Sequence, residues 1–409
     1  MSGYLRRLAL FVALLGAALA AFNACIDPYG YFDPPKISGV NALPLGFNHR
    51  PLLAKALAVS ELRPATIILG NSRAEAAYDP QHRAIALRPA YNLAIGGASM
   101  SMEYRYFLEA LAAGGLREVI LALDLTMFDP DANAPDPDLD AVLLTDANGK
   151  PEGAARKWRR LAFILLSGTT SSDSLWSLTH QEKPVAIYDR SGLREEAYDI
   201  AQVEREGGPR QASRRVEATF LASTLRDVDS ARFRASYAAT LAKLQQIIDL
   251  SAQRGIALKL VINPIHARET DMLAADGLWP LYETWKRDLV AATQRSPRPE
   301  LVSLWDFSGV SACTSESLPP DDNAAATMRW YRESSHFRRV LGDRVLDRVF
   351  GRPDDGACPN LGERLDPATL AGALAQQRAS LRQWAQTHAA DAAEIERLAK
   401  QYGRMRGRQ

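Results

Sequence analysis

Short runs of almost purely apolar residues are the feature that most restricts the fold of this 409-residue chain. Four of them are Thr66–Leu69, Ala90–Ile95, Glu118–Leu123 and Ala257–Ile262, and Leu301–Trp305 is a candidate fifth. Helix-like segments separate them. Apolar strands that alternate with helices are typical of a parallel sheet covered on both faces. The chain is therefore predicted to be an α/β protein, a three-layer α/β/α sandwich around a five-stranded, mainly parallel sheet.

The N-terminus carries a candidate membrane segment. Arg6 and Arg7 precede an uncharged run from Leu8 to Ile26, about 19 residues, which is enough for a helix to cross a bilayer core. The arginines favour insertion with the N-terminus in the cytoplasm. The run fits an uncleaved anchor, a cleaved signal peptide, or a lipoprotein signal ending at Cys25. We favour a single-pass anchor in a bacterial inner membrane, and all three interpretations place the rest of the chain in the periplasm or outside the cell.

Composition along the chain suggests three parts. Residues 1–27 form the anchor or signal sequence, residues 28–365 an α/β domain, and residues 366–409 a helical tail rich in Ala, Gln and Arg. An acidic, Pro-rich stretch interrupts the strand–helix rhythm, and we interpret residues 129–230 as an insertion that shapes a substrate site. The net charge is +1, so nothing indicates a nucleic-acid partner.

Two late cysteines fit an exported domain. Cys313 and Cys358 lie in loop-like sequence, and an oxidising compartment allows them to pair as a disulfide. The alternative is two unpaired thiols.

Ser72 is the first candidate for chemistry. It follows the strand Thr66–Leu69 in the stretch IILGNSRAE, and a serine there would lie at the carboxyl edge of the sheet, near a helix N-terminus that favours a developing negative charge. This position suits a nucleophile. The alternative is that Ser72 only caps the helix, with Glu75 as the other half of a capping box.

A base for Ser72 has two candidates among the six histidines. His336 lies late in the chain, three residues after Glu333, and on a tight turn that carboxylate can fix the imidazole tautomer. The alternative is a solvated ion pair beside a helix start. His266 also follows a strand, and it is either a second base, a substrate contact or a loop residue. No ligand spacing supports a metal site, and we expect no metal and no cofactor.

Together these motifs resemble the SGNH (GDSL-like) hydrolase superfamily, which implies a fold of the SGNH-hydrolase/flavodoxin type. Gly70-Asn71-Ser72 matches the family's nucleophile turn, and Glu333-Ser334-Ser335-His336 matches its late Asp-x-x-His, with Glu in place of Asp. The resemblance implies Ser72 as nucleophile, His336 as base and Glu333 as its orienting carboxylate.

The resemblance also implies an oxyanion hole. Asn92–Ser99 matches the turn after the second strand, with Gly96 or Gly97 as backbone donor and Asn92 nearby. The third strand is followed by Asp124, where many members have an asparagine, and an ionised Asp124 cannot donate a hydrogen bond. Asp124 is instead expected to orient a neighbour or a substrate hydroxyl, with Arg73 assisting the oxyanion.

The membrane segment narrows the resemblance to membrane-anchored proteins of envelope and exopolysaccharide acylation, such as alginate O-acetylation proteins and the D-alanyl transfer protein of teichoic acid systems. It implies a serine esterase or O-acyltransferase acting on acyl esters of cell-surface polysaccharide, with a membrane-embedded partner that supplies acyl groups. The alternative function is a catalytically inactive SGNH-like protein that binds glycan or scaffolds an envelope assembly.

Overall fold

A computed structural model describes residues 2–133, 136–151, 153–181, 187–321, 323–353 and 356–404 of the chain. The chain divides into two compact units. The first unit comprises Met1–Arg63, Leu108–Gly114 and Asp136–Arg190. The second unit comprises Pro64–Phe107, Gly115–Pro135 and Ser191–Gln409. The stretch interpreted as an insertion therefore contributes to both units.

Fifteen α-helices lie within the described residues, and one of them, α4, starts in the second unit and ends in the first. In chain order they are α1 (Ser2–Ile26), α2 (Pro51–Leu62), α3 (Ser72–Ala77), α4 (Met100–Ala113), α5 (Pro137–Val142), α6 (Ala154–Leu166), α7 (Gly168–His180), α8 (Glu196–Arg205), α9 (Pro209–Ser223), α10 (Ala231–Arg254), α11 (Ala267–Ala275), α12 (Trp279–Gln294), α13 (Arg339–Val349), α14 (Leu370–Thr387) and α15 (Ala389–Tyr402).

The second unit contains a mostly parallel sheet. Its strands are β1 (Thr66–Leu69), β2 (Ala90–Asn92), β3 (Glu118–Leu123), β4 (Ala257–Ile262), β5 (Val302–Asp306) and β6 (Glu363–Arg364), in the spatial order β2-β1-β3-β4-β5-β6. The first five pair in parallel, with registers such as Ile68↔Ile120 between β1 and β3. The direction of chain progression reverses between β1 and β3, and in open sheets of this kind a crevice forms at the carboxyl ends of such neighbouring strands.

The expectation of five strands was wrong, because the sheet has a sixth. β6 runs antiparallel to β5, with Trp305↔Arg364 and Asp306↔Glu363 as partners. Its two residues are charged and exposed, so it leaves no apolar run in the sequence. By contrast, β1 and β3 are buried along their whole length, which is why their apolar runs give their boundaries correctly.

The core beneath the β1–β3 crevice joins distant parts of the second unit. Ile68 of β1 and Ile120 of β3 belong to one buried cluster with Tyr78, Phe337 and Leu341. The cluster therefore packs the region just after α3 against the segment that leads into α13. Cys313 and Cys358 are joined by a disulfide in the same cluster, with their Cα atoms 5.7 Å apart.

The first unit is built around the N-terminal helix. Within the described part of the chain, Gly3–Ile26 is the one helical stretch long and apolar enough to cross a membrane. Near the end of α1, the buried Asn23 donates to the Leu165 carbonyl at 2.9 Å and to Ser171 Oγ at 3.1 Å, and accepts from Ser174 Oγ at 2.9 Å. These bonds fix the end of α1 to the corner between α6 and α7. Cys25 is a free, exposed thiol.

Candidate active site

Ser72 is the first residue of α3, directly after β1. Asn71 is the N-cap of this helix, and its Oδ1 accepts a hydrogen bond from the Arg73 N–H at 3.1 Å. The alternative interpretation of Ser72 as the N-cap was therefore wrong, since Asn71 caps the helix. Gly70 makes the tight turn possible: its φ is +147°, and a Cβ there would lie 2.8 Å from the Ala74 Cβ and 2.9 Å from the Ala122 Cβ.

His336 lies within hydrogen-bond distance of Ser72. Its Nε2 is 2.8 Å from Ser72 Oγ, and its Nδ1 contacts Glu333 Oε1. Glu333 also accepts from the Ser335 N–H at 2.7 Å and the His336 N–H at 3.1 Å. The Glu333 carboxylate thus accepts from the backbone of the turn Glu333–His336 and also contacts the His336 ring, which it orients. This arrangement accommodates the extra methylene of Glu relative to Asp.

The electrostatics of this turn define the tautomer. Burial acts to raise the pKa of Glu333, but His336 and the Ser335 N–H outweigh it and lower that pKa to about 2. An ionised Glu333 requires Nδ1 of His336 to carry its proton, so Nε2 is left to accept the proton of Ser72 Oγ. The His336 side chain is 24% exposed, so a substrate can reach the pair.

Two backbone N–H groups belong to residues that line the same cavity, Ser72 and Gly97. Those of Ser72 and Gly97 have no hydrogen-bond partner in the part of the chain that the structure describes. Gly97 has a φ of +74°, and Gly96 lies so close that a Cβ there would be 3.9 Å from the Ser72 Cβ. Ser72, Gly97 and His336 all line one cavity of about 670 Å³. Both N–H groups are therefore available to an oxyanion on Ser72.

Asp124 lies beneath the nucleophile turn instead of in the cavity wall. It accepts from Asn71 Nδ2 at 2.9 Å and from Asn263 Nδ2 at 2.7 Å, and it forms an ion pair with Arg73 Nη1. Its buried carboxylate thus orients the two residues that flank Ser72. This position fits the expected orienting of neighbours and leaves Asp124 no direct route to a substrate hydroxyl.

Arg73 connects the turn of Ser72 to the turn that carries His336. Its Nε donates to the Ser335 carbonyl at 2.8 Å and its Nη2 to Ser335 Oγ at 3.1 Å. Burial acts to lower the pKa of Arg73, but Asp124 and Glu269 outweigh that effect and raise it. Arg73 lines the cavity, yet its guanidinium donors are directed at protein acceptors. Its geometry therefore indicates positioning of Ser72 and His336 in place of the expected help to an oxyanion.

Asn92 and His266 are not among the residues that line the cavity. Asn92 Nδ2 donates to the carbonyls of Ala74 and Tyr78, both at 2.9 Å, so it holds the end of α3 and is not placed for the predicted substrate or oxyanion contact. His266 is the N-cap of α11: Nδ1 accepts from the Arg268 N–H at 3.2 Å, and Nε2 lies 2.7 Å from the Glu316 carbonyl. Burial lowers the pKa of His266 to about 4.

Glu269 is a site residue that sequence reasoning missed. It lies in the first turn of α11, lines the cavity, and both its carboxylate oxygens are 2.5 Å from Arg73 Nη2. Burial raises the pKa of Glu269 to about 7 despite the opposing effect of Arg73. Its only sequence signal is a position shortly after β4, at the same sheet edge as Ser72.

Polar side chains line part of the cavity, beside apolar ones such as Val203, Val216 and Phe220. α8 with its C-cap, and α9, contribute charged, amide and hydroxyl side chains, and the segment after β3 contributes two carboxylates. These residues are Asp129, Asp131, Gln202, Glu206, Arg215, Thr219 and Ser223. Deeper in, Asp199 binds Arg194 at 2.7 Å and pairs with Arg332. This lining offers both donors and acceptors, as a hydroxyl-rich ligand requires.

No group of three His, Cys, Asp or Glu residues that could hold a metal ion occurs in the described parts of the chain. Comparison with models of known protein families gives no match, and comparison with curated proteins gives none either.

Proposed function

We propose that the chain is an envelope-facing serine esterase or O-acyltransferase that acts on acyl esters of cell-surface polysaccharide. One observation carries the proposal: Ser72 Oγ lies 2.8 Å from Nε2 of His336, whose Nδ1 contacts the buried Glu333. A nucleophile, a base and an orienting carboxylate in that order are the requirement for acyl transfer through serine.

The reaction follows from this arrangement. Ser72 Oγ attacks the ester carbonyl while its proton passes to His336 Nε2, and the N–H groups of Ser72 and Gly97 hold the resulting oxyanion. Collapse of the tetrahedral intermediate breaks the ester C–O bond, and the imidazolium returns the proton to the leaving alkoxide. Water or a sugar hydroxyl then attacks the acyl-Ser72 ester, with His336 as base, and restores the free serine.

The proposed fold family is the SGNH hydrolase superfamily, with a three-layer α/β/α sandwich. The strand order β2-β1-β3-β4-β5 supports it, since this is the order of flavodoxin-like doubly wound sheets. The positions of Gly70 and Gly97 around Ser72 support it as well.

The proposed location is a bacterial inner membrane, with α1 as a single-pass anchor and the rest of the chain in the periplasm or outside the cell. The length and hydropathy of Gly3–Ile26 support the anchor. The Cys313–Cys358 disulfide supports an oxidising compartment. A membrane-embedded protein that delivers acyl groups is the partner that a transferase would need, and the donors and acceptors that line the 670 Å³ cavity suit a polysaccharide acceptor.

One observation favours the alternative, an inactive SGNH-like protein that binds glycan or scaffolds an envelope assembly. Asp124 replaces the asparagine donor of many family members, and its oxygens accept from Asn71, Asn263 and Arg73. An oxyanion would therefore rely on two backbone N–H groups alone.

Labelling with a serine-reactive fluorophosphonate separates the two candidates. The full-length protein in detergent should be labelled, and Ser72→Ala and His336→Ala should each abolish labelling. Ser172→Ala, which changes an exposed serine of α7, is the matched control and should label normally. Absent or equal labelling in all four proteins would favour the binding protein.

A second measurement separates hydrolysis from transfer. Unlabelled protein from a preparation that reacts with the fluorophosphonate is incubated with an activated acetyl ester, with and without an acceptor oligosaccharide. Acetylated oligosaccharide in place of free acetate would identify a transferase, and unchanged acetate release would identify an esterase.

A further inference from the structure

Exposed apolar side chains are unevenly distributed between the two units. Among the described residues, every large apolar side chain that is exposed belongs to the first unit. Many lie along α1, as a membrane-crossing helix requires. The others are Ile37, Leu62, Trp158, Phe163, Leu166 and Leu175. The first unit therefore carries apolar surface beyond α1 that no described residue covers.

Much of this surface is one side of α6. Trp158, Ala162 and Leu166 are spaced by four residues and share a side of the helix, and Arg159 and Phe163 form the adjacent row. All five are exposed, with Trp158 at 68% and Leu166 at 48%. We call these five residues the interfacial face. A tryptophan, a phenylalanine and a leucine beside a cation are typical of helices that lie in a membrane surface.

α6 is tied directly to α1. Asn23 bonds to the Leu165 carbonyl at the end of α6 and to Ser171 and Ser174 of α7. Its side chain is completely buried, so the three bonds form one enclosed joint. The interfacial face is thus fixed in position relative to the apolar helix that precedes it.

The joint lies at a defined height on α1. At about 1.5 Å per residue, Asn23 is about 22 Å along the helix from Leu8, where the uncharged run starts. A hydrocarbon core of about 30 Å places Asn23 toward the far edge of the membrane. Tryptophan is enriched at that level, and arginine can reach from it to the headgroups.

We propose that the interfacial face of α6 lies in the headgroup region of the membrane that α1 crosses, so that the first unit rests on the lipid surface. This inference depends on the anchor in the proposed function and not on the esterase chemistry. The favoured occupant is lipid, because the face is continuous with a membrane-crossing helix through the Asn23 joint.

Site-specific quenching in lipid nanodiscs tests the proposal with the full-length protein. The background is Cys25→Ser, which removes the free thiol. A fluorescent thiol label is then placed at Ala162→Cys on the interfacial face, Leu14→Cys on α1, or Ala141→Cys. Ala141 is an exposed alanine of α5, which packs on α2, and serves as the matched control. Lipids carry a nitroxide near the headgroup or near the acyl-chain end.

We expect the headgroup nitroxide to quench the label at Ala162 about twofold or more above the label at Ala141, and the chain-end nitroxide to quench the label at Leu14. Quenching of the label at Ala162 without quenching of the label at Leu14 would support contact of α6 with the lipid surface, but it would contradict a membrane-crossing α1. Quenching at Leu14 with Ala162 no different from Ala141 would overturn the inference, because in a disc of lipid alone the face would then be open to water or reserved for a protein partner.

Discussion

His266 follows β4 and His336 precedes α13, and their surroundings differ in exposure and in hydrogen-bond partners. His336 is partly exposed and has one nitrogen on Glu333 and the other on Ser72. His266 is buried, and its two nitrogens bond to the Arg268 N–H and the Glu316 carbonyl. The partners of an imidazole, more than its place in the topology, therefore decide whether it can move a proton.

Replacing each histidine by alanine should give the widest separation. His336→Ala removes the proton acceptor of Ser72, so we expect kcat/KM for an activated ester to fall by about 10⁴-fold. His266→Ala should lower it less than about tenfold, because this residue touches no reacting atom. Equal losses of kcat/KM in the two folded, purified variants would contradict the different roles assigned to His336 and His266.

The carboxylate behind His336 should matter next. Glu333→Gln keeps the size of the side chain but loses one of the two acceptor oxygens of the turn, and it no longer requires a proton on Nδ1. We therefore expect kcat to fall by about 10³-fold, with the wrong tautomer populated. Steady-state kinetics on the activated ester measure it. Glu316→Gln near His266 is the matched control, and a similar loss of kcat there would contradict the assignment.

Two buried arginines, Arg73 and Arg268, also differ in what they contact. Arg73 connects the turns of Ser72 and His336, whereas the neighbour of Glu269, Arg268, binds Glu217 at 2.8 Å on α9 and Asp391 at 2.7 Å on α15. Lysine keeps the charge but loses the planar fork. We expect Arg73→Lys to lower kcat by about 10- to 100-fold with KM nearly unchanged.

Arg268→Lys should instead cost stability, by about 1–3 kcal/mol, and leave kcat within about threefold. Melting temperatures and kcat measured on both variants distinguish a positioning role from a structural one. If Arg73→Lys lost stability alone, Arg73 would be a structural residue like Arg268.

A pH dependence of stability is expected at His266 itself. The pKa of His266 falls from 6.5 to about 4 on burial, so the unfolded chain binds a proton there before the folded chain does. The stability due to neutral His266 is thus fully present above about pH 6.5 and is lost as the pH falls toward 4, by up to about 3 kcal/mol. His266→Asn keeps a cap for α11 and should flatten this slope in urea unfolding; an unchanged slope would contradict the assignment.

Sequence reasoning reached the strands and the Ser72, Glu333 and His336 cluster, but not the residues that support this cluster. β1, β3 and β4 are apolar runs whose ends match the structure, and Ser72, Glu333 and His336 stand in short local motifs. Asn71 and Glu269 were missed, because a cap and a buried counterion depend on neighbours that only the fold supplies. Likewise, β6 pairs through its backbone, which any two residues can do.

The contact between Ser72 and His336 joins residues 264 positions apart in the chain. Chain closure over such a distance is slow and depends on the parallel sheet that lies between. In the proposed function, Ser72 is synthesised long before His336 and lacks a base until the two segments meet. The proposed chemistry would therefore start only after β1 and the segment between β5 and α13 have packed together, so the topology itself would delay it until the protein has folded.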